Sequence, residues 1–451
     1  MPLRPAPSAA LPAAFDRRSA RGLDWLNFFV ANLQTAFGPF IAVYLTGQHW
    51  TQGQIGVVLT VGTVTAMASQ VPAGWLVDRL RDKHRAASAA IIAIVASCLM
   101  LAVLPERLPV ALAEVLHGFA SCMLNPAIAA ITLSVVASAA LARPANRDGV
   151  RHPDTADAAE AAHLALGERF GRNASFGSIG NAVAAGLMGA TGWLVSARAT
   201  FFLGAALALP GLLALRAIAR PSHPPARVAD EHETRSAPSP GHGLRDLLRD
   251  RRLYGFAVCV VLFHLANAGM LPLAAGQVTR QAADLAEVVI AGCILLPQLI
   301  GAALSPRIGR WAGVFGRKPV MLVCFGFLPL RGLLLALSSS PVAVVASQLL
   351  DSVSSAAFGV MLPLVAADLS RGTGRFNLCL GVLGLFMGIG ASFSTTLSGL
   401  VADRSVSAGF LLLSAAGLLC LVAVWLLFTE TAPVAPPRPR SFPSRRRSER
   451  D

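Results

Sequence analysis

Charged residues are scarce in this chain. Only 14% of its 451 residues are Asp, Glu, Lys or Arg, whereas a typical soluble domain has about 25%. A soluble protein in which 54% of the residues are hydrophobic could not cover its surface with polar groups. The shortage of charge therefore excludes an ordinary soluble protein and indicates a chain that lies in a membrane.

Motifs for catalysis and metal binding are also missing. The seven cysteines fall in seven different apolar runs and form no CxxC pair, which predicts small buried side chains rather than disulfides or metal ligands. No Walker loop is present, so ATP is not the expected energy source. Residues 1–22 are rich in Pro, Ala and Arg without a central apolar run, so we expect no signal peptide. We predict that the protein is not an enzyme and needs no cofactor or metal.

Apolar residues are grouped in runs of about 20, which is the length that a helix needs to cross the hydrocarbon core of a bilayer. The sequence therefore predicts an all-α membrane protein with twelve transmembrane helices. The runs cover about 23–46, 53–77, 86–104, 109–137, 173–196, 199–219, 254–278, 284–308, 319–338, 341–369, 376–402 and 406–429.

Basic residues indicate the orientation of these spans. If both ends of the chain face the cytoplasm, the outer loops contain only Arg107, Arg198, Arg280 and Arg404, while Arg331 lies inside a span. All the other basic residues then lie on the cytoplasmic side, as the positive-inside rule expects. The net charge of +14 is therefore explained by topology, and we expect no nucleic-acid binding.

A Pro/Ser/His-rich linker divides the runs into two sets of six. The two sets match at a nearly constant offset, which pairs Pro39 with Pro272 and Lys83 with Lys318. Two six-helix repeats with a site between them are typical of transporters. The predicted organisation is a cytoplasmic tail at 1–21, a bundle at 22–220 with a cytoplasmic insertion at about 142–169, a linker at 221–243, a second bundle at 244–430 and a disordered basic tail at 431–451.

The loop after the second span, "GWLVDRLRDKHR" at 74–85, concentrates charge between two apolar runs. Its Gly74, Asp78, Arg79 and Lys83 match a signature that is roughly G-x-x-x-D-R-x-G-R-K/R. This signature and the twelve runs make the chain resemble the major facilitator superfamily, over about residues 22–430. Two residues depart from the signature, since Arg81 and Asp82 replace the usual Gly-Arg.

A second copy of the motif, "GRWAGVFGRKP" at 309–319, follows the eighth span. Gly309, Gly316, Arg317 and Lys318 match the signature, but Gly313 stands where the aspartate would be.

The resemblance implies a fold of two pseudo-symmetric six-helix bundles and a gating role for this loop, which locks the outward-facing state in the family. Asp78 is placed where a carboxylate can face a helix N-terminus or an arginine of the other half. The alternative is that the basic residues only anchor the topology. The gating candidates are Gly74, Asp78, Arg79, Lys83, Gly309, Arg317 and Lys318.

Polar side chains inside spans are costly and are therefore functional candidates. The resemblance implies that spans 1, 4, 7 and 10 line a central cavity. On these spans lie the substrate-cavity candidates Asn32, Gln34, Asn267 and Gln348 and the proton-coupling candidates Asp351, His117, Glu114 and His264. Packing between helices is the alternative role for Asn32, Gln34, Asn267 and His264. For Glu114 the alternative is a position near the outer interface, in contact with water.

Asp351 has two alternative roles in this sequence. It lies near the middle of span 10 and can take up and release a proton from the cavity, with His117 opposite it. Arg331 on span 9 comes to a similar depth, so the two residues can instead form a buried structural pair.

These observations predict a secondary transporter of the bacterial inner membrane, most simply a monomer that exports a small organic or amphipathic compound in exchange for protons. Its expected partners are the substrate, protons and membrane lipids. A proton symporter that imports a metabolite is the alternative, and a membrane sensor without transport is a minor one. Val115 stands three residues before Gly118, where related drug exporters carry an arginine. This difference weakens the prediction of export without excluding it.

Overall fold

The computed structural model describes residues 17–141 except 36 and 38, residues 155–220, and residues 249–432 except 282 and 372. Regular secondary structure in this part of the chain is α-helical. The helices are α1 Arg17–Thr35, α2 Pro39–Gly47, α3 Gln52–Arg79, α4 Lys83–Val103, α5 Arg107–Leu141, α6 Thr155–Leu194, α7 Ala199–Ala217, α8 Arg251–Asn267, α9 Met270–Gln281, α10 Ala283–Phe315, α11 Arg317–Phe325, α12 Phe327–Leu337, α13 Pro341–Leu369, α14 Phe376–Ala402 and α15 Val406–Leu426.

Several helices begin at polar residues that cap their free backbone N–H groups. Thr51 and Gln54 form a capping box at the start of α3, and the Ser340 side chain caps α13. Asp82 accepts a hydrogen bond from the backbone N–H of Arg85 (3.1 Å) at the start of α4. Such caps satisfy groups that the helix itself leaves unpaired. Asp82, which departs from the loop signature, thus has a local structural role.

Within the described residues, nine helices or helix pairs are long and apolar enough to cross a membrane. This confirms a helical protein with several membrane spans. The first, fifth and eighth expected spans are outside those nine, although α1 with α2, α6 and α10 cover them. The helices α6 and α10 contact each other through glycine and serine.

Two large hydrophobic cores hold the helices together. The first comprises residues between Leu23 and Ile218. The second comprises residues between Leu253 and Phe428 and also includes Leu166 and Phe170 of α6. Most contacts between the halves lie along two helix pairs, α3 with α14 and α6 with α10.

Four of the predicted segments lie wholly or mostly outside the described residues: the two tails, the linker and the first part of the insertion. The described end of the insertion continues as helix, because α6 already begins at Thr155. The insertion therefore lengthens the fifth span by helix on the side of the molecule where the motif loops lie.

Candidate functional site

A cavity of about 400 Å³ lies between the two halves. The first half contributes α1, α3, α5 and α6 to its wall, and the second half contributes α13 and α14. This differs from the expectation that spans 1, 4, 7 and 10 line the cavity, since α8 of span 7 contributes no lining residue. The inner surface of α8 packs into the second core instead, through residues such as Phe263 and Val260.

The two walls of the cavity differ in chemistry. The first half supplies six amide side chains: Asn27, Gln34, Gln70, Asn125, Asn173 and Asn181. The second half supplies glycine, proline and apolar residues: Gly359, Leu362, Pro363, Leu380, Gly384 and Met387. Among the described residues that line this cavity there is no Asp, Glu, Lys, Arg or His.

Close helix contacts join the two halves alongside the cavity. Along α3 and α14, Gly381 and Gly384 lie against Gln70, and Gly388 lies against Met67. At these glycines an added Cβ would meet atoms of the other half. Small residues are what allow two membrane helices to approach this closely.

We call the close contact between α3 and α14 the α3–α14 seam. A second seam, between α6 and α10, is built in the same way. Gly167 contacts the backbone of Gly309, Gly171 contacts Ser305, and Ser175 donates a hydrogen bond to the backbone oxygen of Ala302 (2.6 Å). The small residues of α10 recur every four positions, at Gly301, Ser305, Gly309 and Gly313, and so occupy one face of the helix.

Asp78 connects the halves at the end of the α3–α14 seam. Its Oδ1 accepts hydrogen bonds from the backbone N–H of Asn377 (3.0 Å) and from Asn377 Nδ2 (2.7 Å), and its Oδ2 accepts one from the N–H of Leu378 (2.8 Å). Both N–H groups belong to the first turn of α14, where the helix dipole favours a negative charge. Gly74, one turn earlier, lies directly against the backbone oxygen of Asn377.

The long α6 explains why the second copy of the motif has Gly313 in place of an aspartate. When the two Arg-Phe pairs at 169 and 375 are aligned, Gly171 and Arg172 correspond to Asn377 and Leu378. These two residues lie well inside α6, which begins at Thr155, so their N–H groups bond within the helix. No free N–H group remains for a carboxylate to accept from.

The extended part of α6 makes its own contacts with the second half instead. Leu164 packs on Gly313, where a side chain would leave it no room. Glu168 forms an ion pair with Arg310 (2.9 Å). The two seams therefore close differently, one through a carboxylate at a helix N-terminus and the other through helix packing and a surface ion pair.

The basic residues of the two motifs make contacts within their own halves. Lys83 Nζ donates to backbone oxygens at the C-terminal end of α3, including those of Asp78 (3.1 Å) and Leu80 (2.7 Å). The Arg79 guanidinium lies over the Trp75 ring, 3.8 Å from its centroid.

In the second copy, Arg317 is fully buried and pairs with Asp368 (3.0 Å). Lys318 Nζ donates to the Trp425 oxygen (2.7 Å) at the end of α15. Of the gating candidates, Gly74, Asp78 and Gly309 thus contact the opposite half.

Asp351 belongs to a buried polar network in the second half. Arg331, which is 1% exposed, pairs with Asp351 through its Nη1 (2.8 Å). Arg331 also donates to Asn267 Oδ1 and to Gln348 Oε1 (3.3 Å), and Ser355 donates to Asp351 (3.1 Å). The network joins α8, α12 and α13, and none of its members lines the cavity.

The expected cavity amides are therefore separated. Gln34 lines the cavity. Asn32 is fully buried and donates from Nδ2 to the Phe28 oxygen of its own helix (2.8 Å). Asn267 and Gln348 lie outside the lining and accept hydrogen bonds from Arg331, because the buried guanidinium needs acceptors.

Glu114 and His117 share one face of α5, as their spacing predicts, but they do not face the cavity. Glu114 is 6% exposed and lies against Gly62 of α3. Its Oε1 has no hydrogen-bond partner among the described residues, and the same holds for His117 Nε2. The His117 ring stacks on Phe37 with a centroid distance of 3.6 Å.

The His264 side chain packs within the second half of the molecule. Its Nδ1 is 3.0 Å from the Val260 oxygen of its own helix, and its ring contacts Phe263 and Phe358.

Sequence reasoning missed one buried network in the first half. Asp24 pairs with Arg169 (2.5 Å) and Arg172 (2.7 Å), and Arg169 also donates from Nε to Asn173 Oδ1 (2.9 Å). Asn173 in turn donates to Thr132 (2.9 Å). Asp24 stands in the first apolar run, and an acidic residue at that position was the signal available in the sequence.

Comparisons with known proteins agree with this architecture. The sequence profile of the Major Facilitator Superfamily matches residues 23–301 and 258–450. An uncharacterized MFS-type transporter of Mycobacterium tuberculosis (strain CDC 1551 / Oshkosh) is 34% identical over 402 residues, which cover 88% of this chain and 90% of the relative. An MFS-type transporter of strain ATCC 25618 / H37Rv matches equally well.

Solved structures of similar fold include FucP in the outward conformation and the proton:xylose symporter XylE. The first has a TM-score of 0.69 at 13% identity and covers 91% of this chain and 99% of its own. The second has a TM-score of 0.67 at 12% identity and covers 92% and 96%. At these identities the likeness shows the fold alone. With its seams, its cavity and the profile match, the chain is a multi-pass transporter rather than an enzyme, and it belongs to the major facilitator superfamily.

Proposed function

We propose that the chain is a twelve-span secondary transporter of a bacterial inner membrane, which exports a small organic or amphipathic compound in exchange for protons. In this proposal α1 with α2, α8 with α9 and α11 with α12 each form one interrupted span, and the other nine helices form one span each. Both ends of the chain then face the cytoplasm, as the distribution of Lys and Arg predicts. The end at which Asp78 contacts α14 is the cytoplasmic end.

The Asp78 contact is the observation that carries alternating access. It joins the halves through hydrogen bonds to the first turn of α14, at one end of the helix pair that borders the cavity between them. Such bonds can break and re-form at modest cost, since each contributes about 0.5–1.5 kcal/mol net, or about 1.5–3 kcal/mol when one partner is charged. These hydrogen bonds between Asp78 and the start of α14, called the latch below, therefore support a cycle in which the two halves separate and close again around a bound compound.

Proton coupling is assigned to Glu114 with His117 rather than to Asp351. Asp351 already has a cationic partner in Arg331, which holds it as a fixed ion pair. Glu114 is buried with no cationic partner in the described part of the chain. A buried carboxylate without a partner is costly, so its charge must be neutralised in this state, and a proton carrier has this property.

The position of Glu114 links protonation to the latch. It lies against Gly62 of α3, and the same helix ends near Asp78. In the proposed exchange, Glu114 takes up its proton from the outer side and releases it to the cytoplasm after α3 has moved, Asp78 has left α14 and water reaches the carboxyl group. A shift of α3 therefore links the proton transfer to the opening of the cytoplasmic end.

Metabolite profiling of cells with and without the gene, at two external pH values, tests this function. We expect a compound that is enriched in the medium of expressing cells, with stronger enrichment at the more acidic external pH. Enrichment inside the cells would instead identify the importing symporter. If no compound differs between the two strains at either pH, the transport proposal is wrong.

A further inference from the structure

The cavity wall carries free amide groups that point to a class of substrate. Gln34, Gln70 and Asn125 line it from α1, α3 and α5, and their side chains are at least partly accessible. Within the described residues, none of these three amides forms a side-chain hydrogen bond with the protein. Each therefore offers both a donor N–H₂ and an acceptor oxygen to a molecule in the cavity.

Neighbouring charges are not available to such a molecule. Asp24 and Arg169 are 2% and 5% exposed and pair with each other behind the cavity wall. Arg169 also donates to Asn173 and to the Ala20 oxygen (3.3 Å), so its N–H groups are used within the protein. Arg172, the second partner of Asp24, has a side chain that is 56% exposed, and water screens its charge.

The chemistry of the two walls excludes an ionic substrate. Moving an ion out of water into a cavity without a counter-charge is costly, and the described part of the chain contributes no charged side chain to this lining. A carboxylate or phosphate would also leave the amide oxygens facing another acceptor, and an ammonium would leave the amide N–H₂ groups facing another donor. Hydroxyl groups donate and accept, and so they satisfy both ends of each amide.

We propose that the transported compound is an uncharged molecule with several hydroxyl groups along one edge and an apolar opposite face. The hydroxyl edge binds Gln34, Gln70 and Asn125 of the first half. The apolar face packs on Leu362, Leu380 and Met387 of the second half. The cavity volume of about 400 Å³ is in the range of small-molecule sites. This inference rests on the proposed transport function and specifies its substrate class.

Thermal unfolding of the purified protein with three probes tests the inference. The probes share a phenyl ring and differ in charge: phenyl β-D-glucopyranoside is neutral, phenyltrimethylammonium is a cation and phenylphosphonate is an anion. We expect a concentration-dependent rise in Tm of about 2 °C or more with the glucoside alone, because a ligand that binds only the folded state stabilises it. The proposal is overturned if either ion raises Tm, or if none of the three probes raises it.

Variants of the cavity amides locate the binding site. Gln70→Leu is expected to abolish the Tm rise with the glucoside, whereas Gln48→Leu, at an exposed turn after α2, should keep it. Because Gln70 also contacts Gly384 in the seam, Gln34→Leu serves as a second variant if Gln70→Leu does not fold. An undiminished rise in the folded cavity variants would place the glucoside elsewhere and overturn the assignment.

The result separates this inference from the proposed function, because the melting assay needs no proton gradient. Binding of the glucoside without gene-dependent flux in cells would contradict transport and leave the substrate class standing. Gene-dependent flux of an ion that also raises Tm would contradict the substrate class and leave transport standing.

Discussion

Two acidic residues inside the helical spans, Glu114 and Asp351, differ in their partners, and on this difference the proposed roles rest. Asp351 has Arg331 at 2.8 Å, whereas Glu114 has no partner at Oε1 among the described residues. A paired carboxylate stabilises the fold through its attraction to the cation. An unpaired buried carboxylate is destabilising while it is charged, and a bound proton removes that cost. The sequence made both residues proton-coupling candidates and left the pair with Arg331 as the alternative for Asp351.

Glu114→Gln should uncouple transport from the proton gradient. The glutamine has nearly the same shape and cannot release a proton, so we expect gradient-driven flux to fall to background while Tm stays close to that of the wild type. The matched control is Glu106→Gln, at an exposed position shortly before α5, which should transport normally. Flux of the identified compound is measured in proteoliposomes with an imposed pH gradient. Gradient-driven flux at the wild-type rate in Glu114→Gln would contradict the assignment.

Asp351→Asn should reduce stability rather than coupling alone. Removing one partner leaves Arg331 as a buried unpaired cation, and breaking a buried pair costs about 3–5 kcal/mol. We expect a clearly lower Tm in detergent, and partial recovery in the double variant Asp351→Asn with Arg331→Met. A wild-type Tm together with lost coupling would show that Asp351 carries the proton after all.

At the scale of elements, the two seams explain a group of glycines on α3, α6, α10 and α14. They let α3 approach α14, and α6 approach α10, to backbone contact. The carboxylate of Asp78 then reaches the start of α14 only because Gly74 lies against Asn377. The hydrogen bonds of Asp78 therefore depend on the close approach of α3 and α14.

Asp78→Asn should weaken the latch without unfolding the protein. A charge at a helix N-terminus contributes about 0.3–1 kcal/mol, and up to about 2 kcal/mol when partly buried. We therefore expect the cavity to become more accessible from the cytoplasmic side. The measurement is the rate at which a membrane-impermeant maleimide labels an Ala174→Cys reporter in inside-out vesicles.

Asp403→Asn is the control for that measurement, because Asp403 is exposed at the end of α14. It should leave the labelling rate unchanged. An Asp78→Asn variant that labels no faster than this control would rule out a gating role for Asp78.

Gly167→Val should separate α6 from α10. Its side chain would enter the backbone of Gly309, and inserting extra methyl groups into a packed contact costs about 1–3 kcal/mol. We expect a lower Tm and faster cytoplasmic labelling of the same reporter. Gly186→Val, on the same helix with open space around it, should change neither quantity. Equal behaviour of the two variants would show that the seam tolerates a side chain.

At the scale of the whole molecule, the orientation can be tested with single cysteines. Arg198→Cys, before α7, should react with an impermeant maleimide added outside intact cells, whereas Arg235→Cys, in the linker, should react only after the cells are opened. The native cysteines are all buried, so the unaltered protein provides a low background. The reverse pattern would overturn the proposed topology.

Sequence determined the coarse plan of this protein. Runs of about 20 apolar residues require helices in a bilayer, because lipid offers the backbone no hydrogen-bond partners. The repeated loop motif and the central linker identified the superfamily, and Asp78 could be placed at a helix N-terminus or an arginine. These inferences rest on the spacing of residues along the chain, which is known without the fold.

Tertiary structure decided which polar residues meet. The sequence placed Asn32, Asn267 and Gln348 beside Gln34 in one cavity, but Asn267 and Gln348 bind Arg331 and Asn32 binds its own helix. It also gave no reason for Gly313, which became clear once α6 was seen to begin at Thr155. The depth of a residue in a span can be counted along the chain, whereas the direction in which its helix faces depends on how all the helices pack. For that reason the amide wall formed by Gln34, Gln70 and Asn125 appears only in the folded molecule.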